Sequence, residues 1–267
     1  MDLLKRRMAP VTPEAWEQLD DEARRVLTLH LGARKLVDFS GPHGWKIGGV
    51  NTGRLQPIER RPADEVPCML RKVQPLVEVR SPFVMKILEL DVASRGADDL
   101  DLQPVITAAE RVALAEDRSV FYGFKEAGIT GILEATPHAP IRVSAAIDWP
   151  KAVVQAKETL RVAGMNGPYA LALGPKAYDE VTSGSEDGYP LRKRIETYLA
   201  APLVWAPALG SGGLLLTTRG GDYEITVGQD LAIGYAVHDR ESVELYLTES
   251  FTFRILEEKA AIALQRD

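Results

Sequence analysis

The clearest periodic pattern lies near the start of the chain, where apolar residues recur at steps of three and four. This spacing places one apolar face along a helix. Thr12 suits the cap position, Pro13 suits the first helical position, and Glu14 complements the helix dipole. We therefore predict an amphipathic helix that begins at residues 12–14 and ends near Gly32. Its apolar face consists of Trp16, Leu19, Ala23, Val26, Leu27, His30 and Leu31.

A different pattern follows in residues 48–82, where glycines and prolines interrupt short apolar stretches. Prolines at this density exclude a helix or a central strand, but they allow edge strands or an extended hairpin. A two-stranded hairpin is marginally stable by itself. We therefore expect an arm that lies on another surface, such as a neighbouring subunit. The interrupting residues are Gly48, Gly49, Gly53, Pro57, Pro62, Pro67, Pro75 and Pro82.

The middle of the chain contains further helical patterns and one apolar run that is typical of a buried strand. A long helix is expected to stop at Gly128, because glycine favours helix C-termini. The predicted helices span residues 101–127, 150–163 and 191–199, the strand spans 169–173, and a polar loop spans 182–190.

The last third of the chain alternates apolar and polar residues with a period of two, which is typical of strands that pack one face on a core. Such alternation predicts a sheet. The alternating apolar sets are Tyr223, Ile225 and Val227; Leu231, Ile233, Tyr235 and Val237; Val243, Leu245 and Leu247; and Phe251, Phe253 and Ile255.

Composition narrows the function classes. The 267 residues correspond to roughly one or two domains. Thirty-eight acidic against 32 basic residues leave a net charge of −6, which argues against nucleic acid as the main partner. The only cysteine, Cys68, excludes an internal disulfide framework. No secretory signal and no run of about 18 apolar residues is visible, so we expect a cytoplasmic protein without membrane contact.

No catalytic or metal-binding pattern emerges from the histidines. None of the four has a partner at the spacing of a metal ligand pair. His30 lies on the apolar face of the first helix, where a packed histidine is the favoured interpretation. His238 and Asp239 fall where a hairpin turn is expected. The four are His30, His43, His138 and His238.

The glycine-rich segments also lack the features of a cofactor site. Residues 210–213 and 220–221 do not open a helix after a strand, and no phosphate-binding lysine follows them. We interpret both as β-turns. The sequence therefore predicts no catalytic residue, no metal and no cofactor. The features that remain, an amphipathic helix, an arm and a terminal sheet, suit a chain that packs against copies of itself.

Ordered motifs along nearly the whole chain resemble the encapsulins, the shell proteins of bacterial and archaeal nanocompartments. The N-terminal motifs are Lys5-Arg6, Ala9-Pro10, Trp16, Arg34-Lys35, Val37-Asp38 and Gly41-Pro42 with Gly44-Trp45. The central ones are Arg71-Lys72, Pro75-Leu76, Glu89-Leu90-Asp91, Glu116-Asp117-Arg118, Gly167-Pro168-Tyr169 and Gly188-Tyr189-Pro190-Leu191. The C-terminal ones are Arg219-Gly220-Gly221-Asp222, Gly228-Gln229-Asp230 and Glu249-Ser250-Phe251-Thr252-Phe253.

The resemblance implies an α+β fold of the tailed-phage major capsid (HK-97-like) type, with a peripheral domain, an axial domain and an extended E-loop. Residues 1–47 would contribute the N-terminal helix and the start of the peripheral domain. Residues 48–76 would be the E-loop, which matches the arm described above. Residues 77–134 would be the peripheral domain with its spine helix, 135–222 the axial domain, and 223–267 the C-terminal sheet of the peripheral domain.

The resemblance also implies a function. The chain would close an icosahedral homo-oligomeric shell, of about 60 copies, around a cargo enzyme such as a dye-decolourising peroxidase or a ferritin-like protein. The cargo's C-terminal peptide would dock on the lumenal face. Some members carry a Trp before the Glu-Leu-Asp motif and stack a flavin there, but this chain has Leu88 at that position. We therefore expect no flavin.

Two sets of site residues follow from the family's pattern. An apolar groove that is edged by charges suits a peptide with apolar anchors. A ring of carboxylates at a pore would attract cations and slow anions. The implied peptide-binding residues are Leu27, Leu31, Arg34, Leu36, Asp38, Asp230, Leu231 and Ile233. The implied five-fold pore loop consists of Ser183, Gly184, Ser185, Glu186, Asp187 and Gly188.

Two alternatives remain at this stage. One is a phage-type capsid protein that packages DNA, against which the encapsulin-like N-terminal helix argues. The other is a bacteriocin or a protease, an older label for this family. The missing secretory signal and the missing catalytic pattern weigh against the second alternative.

Overall fold

A computed structural model describes residues 3–58, 66–199 and 201–266 of the chain. Within these ranges helices and strands mix along the whole chain. The helices are α1 (Pro13–His30), α2 (Ile87–Ala93), α3 (Gln103–Tyr122), α4 (Ile132–Ala135), α5 (Trp149–Val162), α6 (Pro175–Ser183) and α7 (Leu191–Leu199). Short 3-10 helices span Arg6–Met8, Ala33–Lys35, Lys125–Ala127, Ala146–Asp148, Pro207–Leu209 and Glu258–Ala260.

The strands are mostly short. They are β1 (Asp38–Ser40), β2 (Gly49–Pro57), β3 (Met69–Pro75), β4 (Val77–Lys86), β5 (Gly123–Phe124), β6 (Ile129–Thr130), β7 (Ile141–Val143), β8 (Tyr169–Leu173), β9 (Ser185–Glu186), β10 (Tyr189–Pro190), β11 (Leu203–Trp205), β12 (Gly213–Thr217), β13 (Tyr223–Val227), β14 (Ala232–His238), β15 (Ser242–Ile255) and β16 (Ala261–Arg266).

The first helix begins and ends as its pattern predicts. The Thr12 hydroxyl accepts the Ala15 N–H at 3.3 Å, and Pro13 occupies the first turn. The buried side of α1 carries the residues that recur at three- and four-residue steps, Leu19, Ala23 and Leu27 among them. The predictions for α5, α7 and β8 are confirmed to within one residue.

The long helix is shorter than predicted. It spans Gln103–Tyr122 rather than residues 101–127, and the chain leaves it at Gly123, which has a φ of 90°. A Cβ atom at Gly131 would lie only 2.2 Å from the Gly123 nitrogen, so two glycines are needed where β5 and β6 approach each other. The expected stop at Gly128 instead ends a short 3-10 helix.

One five-stranded sheet is organised around β15, the longest strand. Along one edge β15 pairs antiparallel with β4, from Ser242 to Phe251. Along its other edge it pairs first with β14 and then with β13, which in turn pairs in parallel with β1. The alternating sets from Val243 to Ile255 thus form a single continuous strand.

A second five-stranded sheet has the order β11-β8-β12-β16-β7. Its central strand β12 pairs antiparallel with both β8 and β16. The terminal strand β16 therefore belongs to the sheet of the 135–222 segment, although the domain boundaries expected from the resemblance assign residues 223–267 to the peripheral domain. The two segments are interwoven.

Helix α3 connects two hydrophobic clusters. Its first half, up to Ala113, packs with α1, α2 and the β4–β14 side of the first sheet. Its last turns, with Val120 and Phe121, pack with the second sheet and α5. Between these halves the buried face of the helix carries Glu116 and Asp117, so the junction of the two clusters is polar.

The arm is a two-stranded antiparallel hairpin of β2 and β3, as the proline and glycine pattern allows. Most of its apolar side chains are exposed, and no described residue of β2 or β3 belongs to either cluster. The tip, residues 59–65, lies outside the described residues. In the ranges that the structure describes, no helix is long and apolar enough to cross a membrane.

A groove beside the first helix and a polar hairpin

A groove of about 560 Å³ runs between α1 and the start of β14. It is lined by Arg6, Asp20, Ala23, Arg24, Leu27, Thr28, Leu31, Arg34, Lys35, Asp230, Leu231, Ala232, Ile233 and Leu247.

Six of the eight implied peptide-binding residues meet in this groove, and two do not. The six are Leu27, Leu31, Arg34, Asp230, Leu231 and Ile233. Leu36 is buried in the other hydrophobic cluster. Asp38 lies beside the turn that precedes β13, where its Oδ2 accepts the Gly221 N–H at 2.6 Å.

The floor of the groove is apolar and also part of the protein core. Leu27, Leu31 and Ile233 are 7%, 6% and 1% exposed, so most of each side chain already contacts the subunit itself. Leu231 and Ala232 are only half-buried. A ligand in the groove would therefore contact these two residues more than the three deeper ones.

The rim of the groove is charged, and its residues are not among those that the sequence predicts for a site. Arg6 forms an ion pair with Asp20 at 2.7 Å, and its guanidinium stacks over the Trp16 ring at 4.0 Å. Arg24 forms an exposed ion pair with Asp21 at 2.5 Å. Asp20, Asp21 and Arg24 belong to the polar face of α1. A polar face alone does not distinguish the rim of a groove from an ordinary solvated surface.

Arg34 enters the groove wall from the 3-10 helix Ala33–Lys35 and binds three carboxyl groups. Its Nε donates to both oxygens of Glu116 at 3.0 and 2.9 Å, and its Nη2 donates to Glu116 Oε2 at 2.7 Å. The same Nη2 also donates to Glu249, and Nη1 donates to Asp230 at 2.9 Å. Asp230 Oδ1 in turn accepts the Leu231 N–H at 2.9 Å.

The electrostatics of this cluster are unbalanced. The side chains of Glu116 and Glu249 are 0% exposed, and one guanidinium faces them both. Burial raises the pKa of Glu249 well above its ordinary value, and the Glu116 charge raises it further, against the opposing effect of Arg34. Burial alone would lower the pKa of Arg34, but the hydrogen bonds and charges of its three partners raise it, so this residue stays charged.

A third buried carboxyl, that of Asp117, fixes the segment that carries Arg34. Asp117 accepts the Gly32 N–H at 2.9 Å and the Ala33 N–H at 3.0 Å. A Cβ atom on Gly32 would lie 2.9 Å from the Ala206 Cβ, so glycine permits this close approach. Glu116 and Asp117 thus hold the connection after α1 against the middle of α3.

The sequence pattern marks both buried glutamates, because each is a charged residue at an apolar position of its helix or strand. Glu116 lies within the apolar stripe of the long helix, between Val112 and Val120. Glu249 occupies an inward position of the alternation that runs from Leu247 to Phe251. A charged residue at an apolar position predicts a buried polar contact, although it does not identify the partner.

The implied pore loop forms the end of α6 and a tight hairpin. Ser183 ends the helix, and its hydroxyl donates to the Asp179 carbonyl at 2.6 Å. Strands β9 and β10 then pair across a two-residue turn of Asp187 and Gly188, both with positive φ. This Asp-Gly combination is favoured at turns that require two left-handed residues.

The charges of this hairpin are not equivalent. The carboxylate of Glu186 forms an ion pair with Arg194 of α7, which offsets its charge. Asp187 lies exposed at the tip of the turn. Of the two carboxylates that the resemblance places at a pore, the Asp187 carboxylate is therefore the one presented to solvent.

The histidines that were weighed as catalytic candidates are packing or turn residues. His30 lies edge-on to the Trp205 ring at 5.1 Å, and its Nδ1 is 2.9 Å from the Val26 carbonyl. His238 ends β14, and Asp239 accepts the Glu241 and Ser242 N–H groups in the following turn. No group of three or more metal-ligand residues is found within residues 3–58, 66–199 and 201–266.

The chain matches the model of a family that is described as an encapsulating protein for peroxidase, over residues 1–252. Two similar curated proteins are named type 1 encapsulin shell proteins. The one from Rhodospirillum rubrum is 44% identical over 272 residues, which cover 99% of this chain and 97% of that protein. The one from Rhodococcus erythropolis is 41% identical over 265 residues, which cover 99% and 100% of the two chains.

Solved structures agree with the predicted fold. The virus-like particle from Pyrococcus furiosus superposes with a TM-score of 0.65 at 14% identity, over 94% of this chain and 99% of that one. The capsid of Myoviridae phage XM1 superposes with a TM-score of 0.55 at 12% identity, over 88% and 91% of the chains. These likenesses confirm the α+β capsid fold that the sequence resemblance predicts.

Proposed function

The chain belongs to the family of type 1 encapsulin shell proteins, whose members form capsid-like shells, and from that membership we propose that its shell takes up a cargo enzyme by binding a short C-terminal peptide of that enzyme. The family description, an encapsulating protein for peroxidase, supports a peroxidase as cargo. A ferritin-like protein is the second cargo class that the sequence resemblance suggests. The shell is the container, and the cargo supplies the chemistry.

The observation that carries this proposal is the groove between α1 and β14. It combines an apolar floor with fixed charges at its edge, and its volume of about 560 Å³ suits several side chains. Apolar anchors of an extended peptide would fill the space over Leu231 and Ala232, while the wall formed by Arg34 and Asp230 would set the register. Leu36 and Asp38 lie elsewhere and have no place in this binding mode.

We further propose a closed icosahedral shell of about 60 copies, with the hairpin of β9 and β10 at its five-fold pores. The net charge of −6 per chain would then amount to roughly −360 per particle. Such a charge disfavours the packaging of DNA, the alternative that the capsid fold raises. Small cations would pass a ring of Asp187 carboxylates more readily than anions.

Expression from the native operon, with a substitution in the groove, tests cargo loading. Leu231→Asp places a carboxylate in the half-buried part of the groove, where an apolar anchor would otherwise pack. We expect intact shells with about tenfold less cargo, the equivalent of about 1.4 kcal/mol of lost affinity. Negative-stain microscopy measures shell formation, and mass spectrometry of the sedimented particles measures the cargo.

Val237→Asp is the matched control, because Val237 lies on β14, the strand that follows Leu231, is 55% exposed and does not line the groove. We expect this variant to load cargo like the wild type. Equal loading in both variants would place the cargo peptide elsewhere. A discrete monomer or dimer from the wild-type operon would contradict the shell itself.

A further inference from the structure

The cluster behind the groove wall contains more negative charge than one arginine can balance. Two buried carboxyl groups, Glu116 on α3 and Glu249 on β15, reach the same nitrogen, Nη2 of Arg34. Asp230, half-exposed at the end of the β13–β14 connection, binds Nη1. Three acidic groups thus surround one cation, and two of them have no contact with solvent.

A second geometric observation concerns the far oxygen of Glu249. Its Oε2 is buried and has no hydrogen-bond partner among the described residues. The carboxyls of Glu249 and Glu116 meet at one atom, since both accept from Nη2 of Arg34. Two carboxylates cannot bond to each other unless one carries a proton, because both would only accept. A shared proton would satisfy the pair and remove the excess charge.

We propose that Glu249 carries a proton in the folded subunit. With this proton in place, Glu249 and Glu116 hold Arg34 in position as the wall of the groove. Loss of the proton at alkaline pH loosens that wall. Glu249 is a positioning residue in this scheme, since it acts through Arg34 and does not itself line the groove. The link to a bound peptide rests on the proposed function, whereas the proton and the wall do not.

Charged groups on the elements that pack around Glu249 affect the loss of its proton. Helix α3 contributes Glu116 and, next to it, Asp117, which faces the Gly32 and Ala33 N–H groups. The 3-10 helix contributes Arg34, and the connection before β14 contributes Asp230. On the neighbouring strand β4 the residue opposite Glu249 is Val79, which carries no charge. Lys35, on the same 3-10 helix, acts on Asp117, and Arg34 is the one described cation that binds Glu116, Glu249 and Asp230. Loss of the proton therefore adds a negative charge that Arg34 alone faces.

The direction of the effect follows from linkage. A carboxyl whose pKa is raised by burial is bound to its proton more tightly in the folded state than in the unfolded chain. Its contribution is complete at low pH and is lost as the pH rises through the folded-state value. The repulsion then acts between Glu116, Glu249 and Asp230, and the movable member is Asp230, which is the most exposed of the three.

Hydrogen exchange of full-length, assembled shells tests the loosening without any cargo. We expect the protection of the Leu231 and Ala232 amides, relative to the amides of β12, to fall by up to about tenfold per unit of pH as the pH rises towards the folded-state pKa of Glu249, and to level off above it. Glu249→Gln keeps a neutral, hydrogen-bonding group at all pH values, so its protection should stay constant. Glu244→Gln is the matched control on the same strand and should follow the wild type.

Infrared difference spectra between wild type and Glu249→Gln at about pH 8 test the proton itself. We expect the carbonyl band of a protonated carboxyl in the wild type and its loss in the variant. If Glu249→Gln does not fold, the loss of that band in the wild type above about pH 8, where Asp117 with its pKa of about 7 has already lost its proton, gives the same test. The protection should level off over the same range of pH. A wild type without the band, or with constant protection from pH 6 to 10, would overturn the proposal.

Cargo loading separates this inference from the proposed function. Shells that show the pH-dependent wall but load no cargo would contradict only the peptide-binding function. Shells that load cargo normally and show no protonated carboxyl would contradict only the role of Glu249.

Discussion

Asp117 is a fully buried carboxyl that fixes the connection after α1 by accepting two backbone N–H groups. Burial raises the pKa of Asp117 to about 7, although the two N–H groups lower it in part. Since the folded state holds this proton more tightly than the unfolded chain, the stabilisation is complete below the unfolded value of 3.8. It is lost as the pH rises towards 7.

We expect Asp117→Asn to be most destabilising at low pH. The Gly32 and Ala33 N–H groups bind different oxygens of Asp117. Asparagine replaces one of these oxygens with an NH2 group that cannot accept, so one N–H keeps no partner, at a cost of about 1–3 kcal/mol. The wild type loses up to about 4 kcal/mol between pH 4 and pH 7 through this group, and the variant does not. The difference between their thermal unfolding midpoints should therefore shrink over that range.

Asp239→Asn provides the matched control. Asp239 also accepts two backbone N–H groups, from Glu241 and Ser242, but it is exposed, and these bonds lower its pKa. Its contribution to stability appears as the pH rises, so the difference between this variant and the wild type should widen slightly instead. A constant or widening difference for Asp117→Asn would show that its proton plays no part in stability.

Single residues of the groove were predictable to different degrees. The periodicity of α1 places Leu27 and Leu31 on its apolar face without further information. Arg34 and Asp230 were predicted only through the resemblance to a family. Glu116 and Glu249 could be recognised as buried charges, but they are 133 residues apart, and local patterns contain no information on which distant groups share one guanidinium.

Helices and strands were predictable where their signals are local. The start of α1 follows from Thr12 and Pro13, and the strands of the last third follow from their alternation. The end of α3 was predicted wrongly, because the stop at Gly123 depends on its close approach to Gly131 across the β5–β6 pair. A contact between residues eight apart in a hairpin is not visible in helical periodicity.

The hairpin of β9 and β10 allows charge to be tested apart from geometry. Asp187→Asn removes the exposed carboxylate but tolerates the positive φ of 51°, since asparagine adopts left-handed conformations readily. We expect shells that assemble normally, admit a small cationic quencher more slowly and admit an anionic one faster. Stopped-flow quenching of a fluorophore fixed inside the shell measures both rates.

Asp239→Asn also serves here as the control, because it removes an exposed carboxylate from a different turn. Its entry rates should equal those of the wild type. If Asp187→Asn changed neither rate, the hairpin would not line the path that small ions take into the shell.

At the scale of the whole molecule, composition and periodicity indicated a self-associating chain, but not how its segments interweave. The last strand, β16, returns to pair with β12 in the second sheet. The polar junction in α3 joins the two hydrophobic clusters. Both features arise from long-range pairing, and only the resemblance to a known fold anticipated the architecture.

The arm of β2 and β3 contributes no described residue to either hydrophobic cluster of the subunit. Leu55, Leu70 and Val73 are each at least half-exposed on it. The Leu76 N–H closes the base of the hairpin by donating to the Gly48 carbonyl, and near this base Gln74 donates to the Gly128 carbonyl of the body. The apolar surface of the arm is therefore available to a neighbouring copy.

Leu70→Asp should separate assembly from folding. Leu70 belongs to neither hydrophobic cluster, so circular dichroism of the variant subunit should match that of the wild type. Burying a leucine against a neighbour stabilises each contact by about 1.5–3 kcal/mol, and a shell repeats that contact in every copy. We therefore expect free subunits or small oligomers in analytical ultracentrifugation, whereas Val162→Asp, at an exposed position of α5, should still give shells. Complete shells from Leu70→Asp would mean that the arm is not held by its apolar side chains, and the backbone edges of β2 and β3 would then be the features to test.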